Sequence, residues 1–381
     1  MVRNLLKMLI GAAIVAVISG VLFMLFSSQF GAKASKGDLE RFQQSEYFLG
    51  KTFHNLTPTN MGMETGSTWS TLKQFIKGNP NKTPPKGIVK ALSVTAEALN
   101  NPESESRILW FGHSTFLLQH KGKNFLFDPV FSDVPSPVPW LGTPRYSGDL
   151  PISPDLLPNL DAVFISHDHY DHLDLKSIEA LKAKTDHFYV PLGVGNHLSL
   201  WGVDDSRITE LDWWQESNIE DITIALTPAR HFSGRRLTGQ NQTLWGAWLL
   251  KDDTFSIYFS GDTGYGNHFK DVADRYGAVD FALLECGQYN PNWADIHMTP
   301  EQTVQAAQDL KATVMMPVHW GAFTLSLHDW NDPAIRVTAA AEKINQALVI
   351  PQIGEIMVIN DEPKPRSAWW ASLTTQLRSN F

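Results

Sequence analysis

Apolar residues fall along this chain in two textures. Near the amino end they form one block, Met8 to Phe26, broken only by glycines and Ser19, with no charge between Lys7 and Lys33. A helix rises about 1.5 Å per residue, so some 20 such residues span a bilayer's hydrocarbon core. The block is longer than the apolar region of most cleavable signal peptides and predicts a transmembrane helix. Ala32-Lys33-Ala34 resembles a small-x-small cleavage site, which keeps processing open. Arg3 and Lys7 favour a cytoplasmic amino end and place the remainder outside the cytoplasm, on the periplasmic side.

From about Arg107 the texture changes to short β-type runs separated by polar loops. Strands are expected over 107–111, 161–165, 222–226, 255–260, 281–285 and 314–318 by their length and apolarity. Four of these runs deliver a histidine or an aspartate just past their end: His167, His231, Asp262 and His319. Helical patterns lie between them, over 177–184 and 300–310. The second opens with Thr299 as a cap and Pro300 at the first helical position. Strands interleaved with helices predict an α/β fold, with sheets covered by helices. Residues 31–53 read as a juxtamembrane linker or short helix, and Gly78 to Gly87 as a loop. The expected organisation is an anchor over 1–30, a linker and extension over 31–100, a catalytic domain over 101–361 and a tail over 362–381. In that tail, Trp369 and Trp370 could rest in a membrane interface or pack on the domain itself.

Composition narrows the function. The net charge is −9 over 381 residues, which argues against a broad nucleic-acid surface. Cys286 is the only cysteine, so no intramolecular disulfide forms and thiolate metal sites are disfavoured. It follows an apolar run and should be buried and inert. A serine nucleophile is poorly supported, because Gly112-His113-Ser114-Thr115-Phe116 lacks the second glycine of an elbow. Gly261 to Gly266 has no following Lys-Ser/Thr and is not a phosphate loop.

The histidines are informative. Ser166-His167-Asp168-His169-Tyr170-Asp171-His172 places three histidines and two aspartates directly after a strand. Imidazole and carboxylate suit zinc and similar borderline metals. One short loop cannot aim all its donors at a single ion. It can serve two: His167 and His169 for one, Asp171 and His172 for the other. His231, Asp262 and His319 are the candidates to complete the shells, and a carboxylate such as Asp262 can bridge. Asp168, between two ligands, reads as support for the loop. His113 could support a ligand or line the cleft in a catalytic role. His54, His120, His187 and His197 read as ordinary hydrogen-bonded histidines.

His167-Asp168-His169-Tyr170-Asp171-His172 resembles the signature of the metallo-β-lactamase-fold hydrolases. His231, Asp262 and His319 match the later motifs in order. Further segments narrow the resemblance to N-acyl-phosphatidylethanolamine-hydrolysing phospholipase D and similar bacterial proteins, some described as outer-membrane-protein regulators. These are Trp110–Phe116, Asp128–Ser132, Gly142–Tyr146, Glu210–Trp214, Thr243–Gly246, His297–Glu301 and His319–Phe323. The resemblance runs from about Phe53 to Ile359.

It implies an αββα sandwich with two zinc ions at one edge, although the ligands alone also suit iron or manganese. It implies His167, His169 and His231 on one ion, Asp171, His172 and His319 on the other, and Asp262 bridging as a catalytic centre. A hydroxide between the two ions is then the expected nucleophile. His297 aligns with a histidine beside the relatives' substrate, implying substrate positioning or proton transfer. The expected substrate is a phospholipid or other small phosphodiester near the membrane. A lactonase on the same site and a non-enzymatic membrane-protein regulator are the alternatives.

Overall fold

Strands rich in Phe, Trp, Ile, Val and Leu build two seven-stranded sheets. The computed structural model describes residues 2–61, 73, 77–100, 105–138, 140–236, 238–359 and 368–371. A hairpin of β1 (Phe48–Leu49) and β2 (Thr52–Phe53) comes first. The chain then lays down β3 (Arg107–Trp110), β4 (Phe116–His120), β5 (Lys123–Phe127), β6 (Leu160–Phe164), β7 (Thr185–Pro191) and β8 (Ile208–Leu211). The second sheet holds β9 (Glu216–Ile219), β10 (Ile222–Thr227), β11 (Ala247–Lys251), β12 (Ser256–Phe259), β13 (Phe281–Glu285), β14 (Val314–Val318) and β15 (Ala347–Leu348). Finally β16 (Ile356–Val358) returns to pair with β3 at the edge of the first sheet.

Direction matters more than order. In the first sheet β3, β5 and β6 run the same way, since β3 is antiparallel to β4 and β4 to β5, while β5 is parallel to β6. In the second, β10, β12, β13 and β14 share a direction by the same reasoning. The loops after these strands therefore gather at one edge of each sheet. Open α/β sheets commonly place ligand sites at such strand ends.

The two sheets meet through an aromatic ladder. Phe116, Phe127, Phe164 and Tyr189 are register partners on adjacent strands β4 to β7. Their rings stack in sequence at centroid separations of 4.4, 4.7 and 5.3 Å. Phe259 and Trp248 of the second sheet meet this ladder edge-on. Helices cover the outer faces. Ile178, Leu181 and Leu198 pack with Val163 and Phe188 behind the first sheet. The helix Pro300–Asp309 packs against β13 and β14. Thr299 and Gln302 form its capping box, with Pro300 in its first turn. The layers are thus α, β, β, α. Both faces of each sheet are covered, which explains runs that are apolar throughout rather than alternating.

The helix Val2–Phe26 stands apart, with none of its apolar window buried. By length and composition it is a candidate membrane span. Residues 28–32, just past its end, form a strap pinned to the domain. Trp201 Nε1 donates to Ser28 O at 2.8 Å, Arg235 Nε to Gln29 O at 3.0 Å and Arg236 Nε to Phe30 O at 3.1 Å. Ala32 N donates to His197 Nδ1 at 2.9 Å. Gly31, at φ +69°, leaves no room for a Cβ, which would lie 2.3 Å from the His197 ring. The helix Lys36–Phe42 comes next, capped by Ser35 and Asp38. Phe42, Phe48 and Phe53 are buried in the main core, so residues 31–53 dock on the domain.

The tail tryptophans are not available to a membrane interface. Trp369 stacks on Trp320 at 5.3 Å, and Trp370 packs edge-on against both. Of the two places open to the pair, the structure gives them the domain's own core.

The aromatic ladder should carry much of the stability. Phe127→Ala is expected to cost about 3–5 kcal/mol, read as a lowered denaturant midpoint at unchanged slope.

Candidate metal centre

Strand ends bring the chemistry together. After β6, the turn is held by His172 N and Leu173 N, which both donate to His169 O at 3.1 and 2.8 Å. His231, Asp262 and His319 arrive on the loops after β10, β12 and β14. His113 arrives after β3. His113 and His319 sit at φ +54° and +65°, a region that non-glycine residues seldom occupy. Reciprocal backbone bonds hold them there: His113 N to Trp320 O at 2.9 Å and His319 N to His113 O at 3.0 Å. The two sheets are laced together directly beneath the site.

The donors form two adjoining groups. In the first, His167 Nε2 is 2.9 Å from His169 Nδ1, and His169 Nδ1 is 3.3 Å from His231 Nε2. Asp262 Oδ2 lies 3.8 Å from both His167 Nε2 and His231 Nε2. In the second, Asp171 Oδ2 is 3.5 Å from His172 Nε2. His172 Nε2 is 3.2 Å from Asp262 Oδ2, and His319 Nδ1 is 2.9 Å from Asp262 Oδ1. Asp262 thus faces both groups. A tetrahedral zinc with bonds of about 2.0–2.1 Å sets its donors roughly 3.3 Å apart, and these spacings bracket that value.

The donor set fits a cation on other grounds too. His172 Nε2 and Asp262 Oδ1 are buried without a hydrogen-bond partner. Such orphans inside a protein are costly unless something else satisfies them. Burial drives His167 and His231 well below the ordinary imidazole pKa and His319 down to about 3, so these rings are neutral, as ligands must be. Burial alone would raise Asp262, but the neighbouring His172 and His319 together outweigh it and hold the carboxyl well below the usual range. Burial would lower His172, yet Asp262, Asp171 and Asp128 together hold it well above its ordinary value. The pocket attracts positive charge.

A surrounding ring of contacts aims the donors. His231 Nδ1 lies 3.0 Å from Ile296 O, which makes Nδ1 the protonated nitrogen and turns Nε2 inward. Asp128 is a residue whose role the sequence did not disclose. Its Oδ2 bonds His172 Nδ1 at 2.7 Å and accepts from Ser166 Oγ at 2.6 Å, while Oδ1 accepts from Ser166 N at 2.7 Å. Asp168 joins neither group. Its Oδ1 accepts from Gly234 N at 2.7 Å and its Oδ2 meets His197 Nε2 at 3.3 Å. His113 is fully buried, with Nε2 3.0 Å from Asp171 Oδ2. It is not part of the cleft's lining, and its donor atom gathers with those of Asp171, His172 and His319. His120 is tied to Ser106 and Asp252, His187 to Thr209 and His54 to Thr52.

Above the donors opens a cleft of about 310 Å³. Met61, Phe232, Trp293, Ile296 and Leu325 give it an apolar wall. His297 lines it as well, its ring stacked 5.3 Å from His319 and edge-on 5.2 Å from His231. Behind His297 lies a second residue that the sequence does not single out, Glu285, whose Oε1 is 3.0 Å from His297 Nδ1. Cys286 is buried, and burial pushes its thiol well above the ordinary pKa.

Known proteins resemble this chain. The sequence profile of the Beta-lactamase superfamily domain matches residues 123–320. An uncharacterized protein of Mycobacterium tuberculosis is 36% identical over 375 residues, covering 97% of this chain and 100% of that one. N-acyl-phosphatidylethanolamine-hydrolyzing phospholipase D 1 of Caenorhabditis elegans is 30% identical over 335 residues, covering 82% of this chain and 94% of that protein. The isothiocyanate hydrolase from Delia radicum gut bacteria superimposes with a TM-score of 0.52 at 22% identity. That match covers 66% of this chain and 98% of the other, and it speaks to the fold.

Asp128→Asn removes the acceptor that orients His172. Zinc affinity measured by equilibrium dialysis is expected to fall about 10–100-fold, as for other residues one contact removed from a metal.

Proposed function

This chain belongs to the metallo-β-lactamase-fold hydrolases, which are metal-dependent, and from that premise we propose that it is a membrane-tethered dinuclear zinc phosphodiesterase of the phospholipase D type. The observation that carries this reading is the position of Asp262, within 3.8 Å of His167 and His231 on one side and within 3.2 Å of His172 and His319 on the other, under an apolar-walled cleft. His167, His169 and His231 would hold one ion, and Asp171, His172 and His319 the other, with Asp262 shared. When bound, such a pair supplies Lewis acidity, activating water near neutral pH and polarising a phosphoryl oxygen.

The chain's own residues supply the rest. Asp128, Asp168 and His113 keep the donors aimed, so little reorganisation is needed as charge develops. His297 presents its ring to the cleft beside His319 and His231, where it can hold a substrate oxygen or move a proton at Nε2. Met61, Phe232, Trp293, Ile296 and Leu325 offer acyl chains a surface to leave water.

Several observations favour a phospholipid over a small sugar lactone. Among the described residues lining the cleft there is no lysine or arginine to hold a sugar phosphate. The apolar helix Val2–Phe26 and its pinned strap would keep the domain at a bilayer surface, outside the cytoplasm in the orientation that Arg3 and Lys7 favour. The Caenorhabditis elegans relative is by name a phospholipase D acting on an N-acylated phosphatidylethanolamine. A purely structural regulator would have no use for so complete a donor set.

The zinc-loaded protein, assayed with phosphatidylethanolamine derivatives in mixed micelles, is expected to release phosphatidic acid. Chelation should stop release and added zinc restore it. A fully metallated protein that releases none would overturn the reading. His297→Ala should lower turnover by roughly 100-fold or more while metal analysis still finds both ions. Unchanged turnover would remove His297 from the reaction.

A further inference from the structure

Glu285 is the last residue of β13, and the four residues before it, Phe281 to Leu284, are core. It is 0% exposed. A carboxylate taken so far from water costs several kcal/mol unless its oxygens are satisfied. Both are satisfied, by consecutive residues of one loop. Oε1 lies 3.0 Å from His297 Nδ1, and Oε2 accepts from Met298 N at 2.8 Å. Its backbone is fixed as well: Glu285 N donates to Ser260 Oγ at 2.9 Å, and Thr303 Oγ1 donates to Glu285 O at 2.8 Å. Glu285 belongs to neither of the two donor groups, and its carboxylate points at His297.

The hydrogen-bond inventory dictates what this contact does. An ionised carboxylate only accepts, so His297 Nδ1 must carry the proton it shares with Oε1. Nε2 is then the ring nitrogen left for a ligand in the cleft. The stack on His319 fixes the ring plane, and the bond to Glu285 fixes its rotation within that plane.

We propose that Glu285 is a positioning residue for His297, setting its tautomer and heading so that Nε2 faces the substrate. This rests on the reading of His297 as a group that acts on substrate. Met298 N, a donor that cannot be turned around, makes the arrangement sensitive to a single atom. Glutamine fills the same volume but offers one acceptor. Its oxygen would go to Met298 N and its amide would face His297 Nδ1. Nδ1 would then have to accept, and the proton would move to Nε2.

The test uses the full-length, zinc-loaded protein with ¹⁵N-labelled histidine. The His297 ring signals are assigned by their loss in His297→Gln. In the parent protein and in Glu285→Asp, which keeps two acceptors, the proton is expected on Nδ1; in Glu285→Gln it is expected on Nε2. Bound zinc should be the same in all three. Turnover of the phospholipid should fall roughly 10–100-fold in Glu285→Gln, the range for a residue acting through another, with KM changed less than about twofold. The double variant should be no slower than His297→Gln alone, because both changes remove one device. A proton that stays on Nδ1 in Glu285→Gln, or losses that multiply in the double variant, would overturn the proposal. If the parent protein cleaves no phospholipid, the proposed function fails on its own. The tautomer measurement still decides what Glu285 does.

Discussion

Asp262 is a carboxylate held out of water, at 3% exposure, among imidazoles that burial keeps mostly neutral. That single placement constrains everything around it. A buried anion must be compensated, and the compensation here comes from donors on both sheets. Those donors can reach it only if the strands of each sheet end at a common edge. Those strands can share an edge only if the sheets are clamped face to face, which is the task of the ladder Phe116, Phe127, Phe164 and Tyr189. The αββα layering is thus the frame that lets distant residues converge.

The cost of convergence is visible locally. Two histidines adopt left-handed backbone at the point where the sheets meet. Gly287 passes so close to His319 O that a Cβ there would lie 2.0 Å from it. The reciprocal bonds between His113 and the His319–Trp320 turn span this junction. Strain of this kind tends to survive where the surrounding structure over-determines it and a site needs it.

The fold and the ligand loop were legible in the sequence because their signals are local. The run His167 to His172 comes directly after its strand, and the strands themselves are continuous apolar runs. The helix 300–310 announced itself through Thr299 and Pro300. What stayed hidden acts across the fold. Asp128 and Glu285 are single acidic residues, and a lone acid in a sequence reads as solvated surface. Only the position of each, ending an otherwise apolar run, hints at burial. The strap was invisible for another reason: it is recognised through its peptide carbonyls, which every residue possesses. The partners that single it out, Arg235 and Arg236, lie some 200 positions away. Trp369 and Trp370 were ambiguous because an indole suits a lipid interface and a protein core alike.

The strap has a geometric corollary. Three successive carbonyls, Ser28 O to Phe30 O, are each gripped by a side chain of the globular part, so only Ser27 separates the amino-terminal helix from a segment fixed to the body. If that helix sits in a lipid leaflet as proposed, the mouth of the cleft would keep one altitude and one compass bearing. Molecules would then arrive by sliding sideways within the leaflet. Encounter frequency would follow their mole fraction in that two-dimensional sea, and diluting the lipid with inert detergent would slow the protein even at constant bulk concentration.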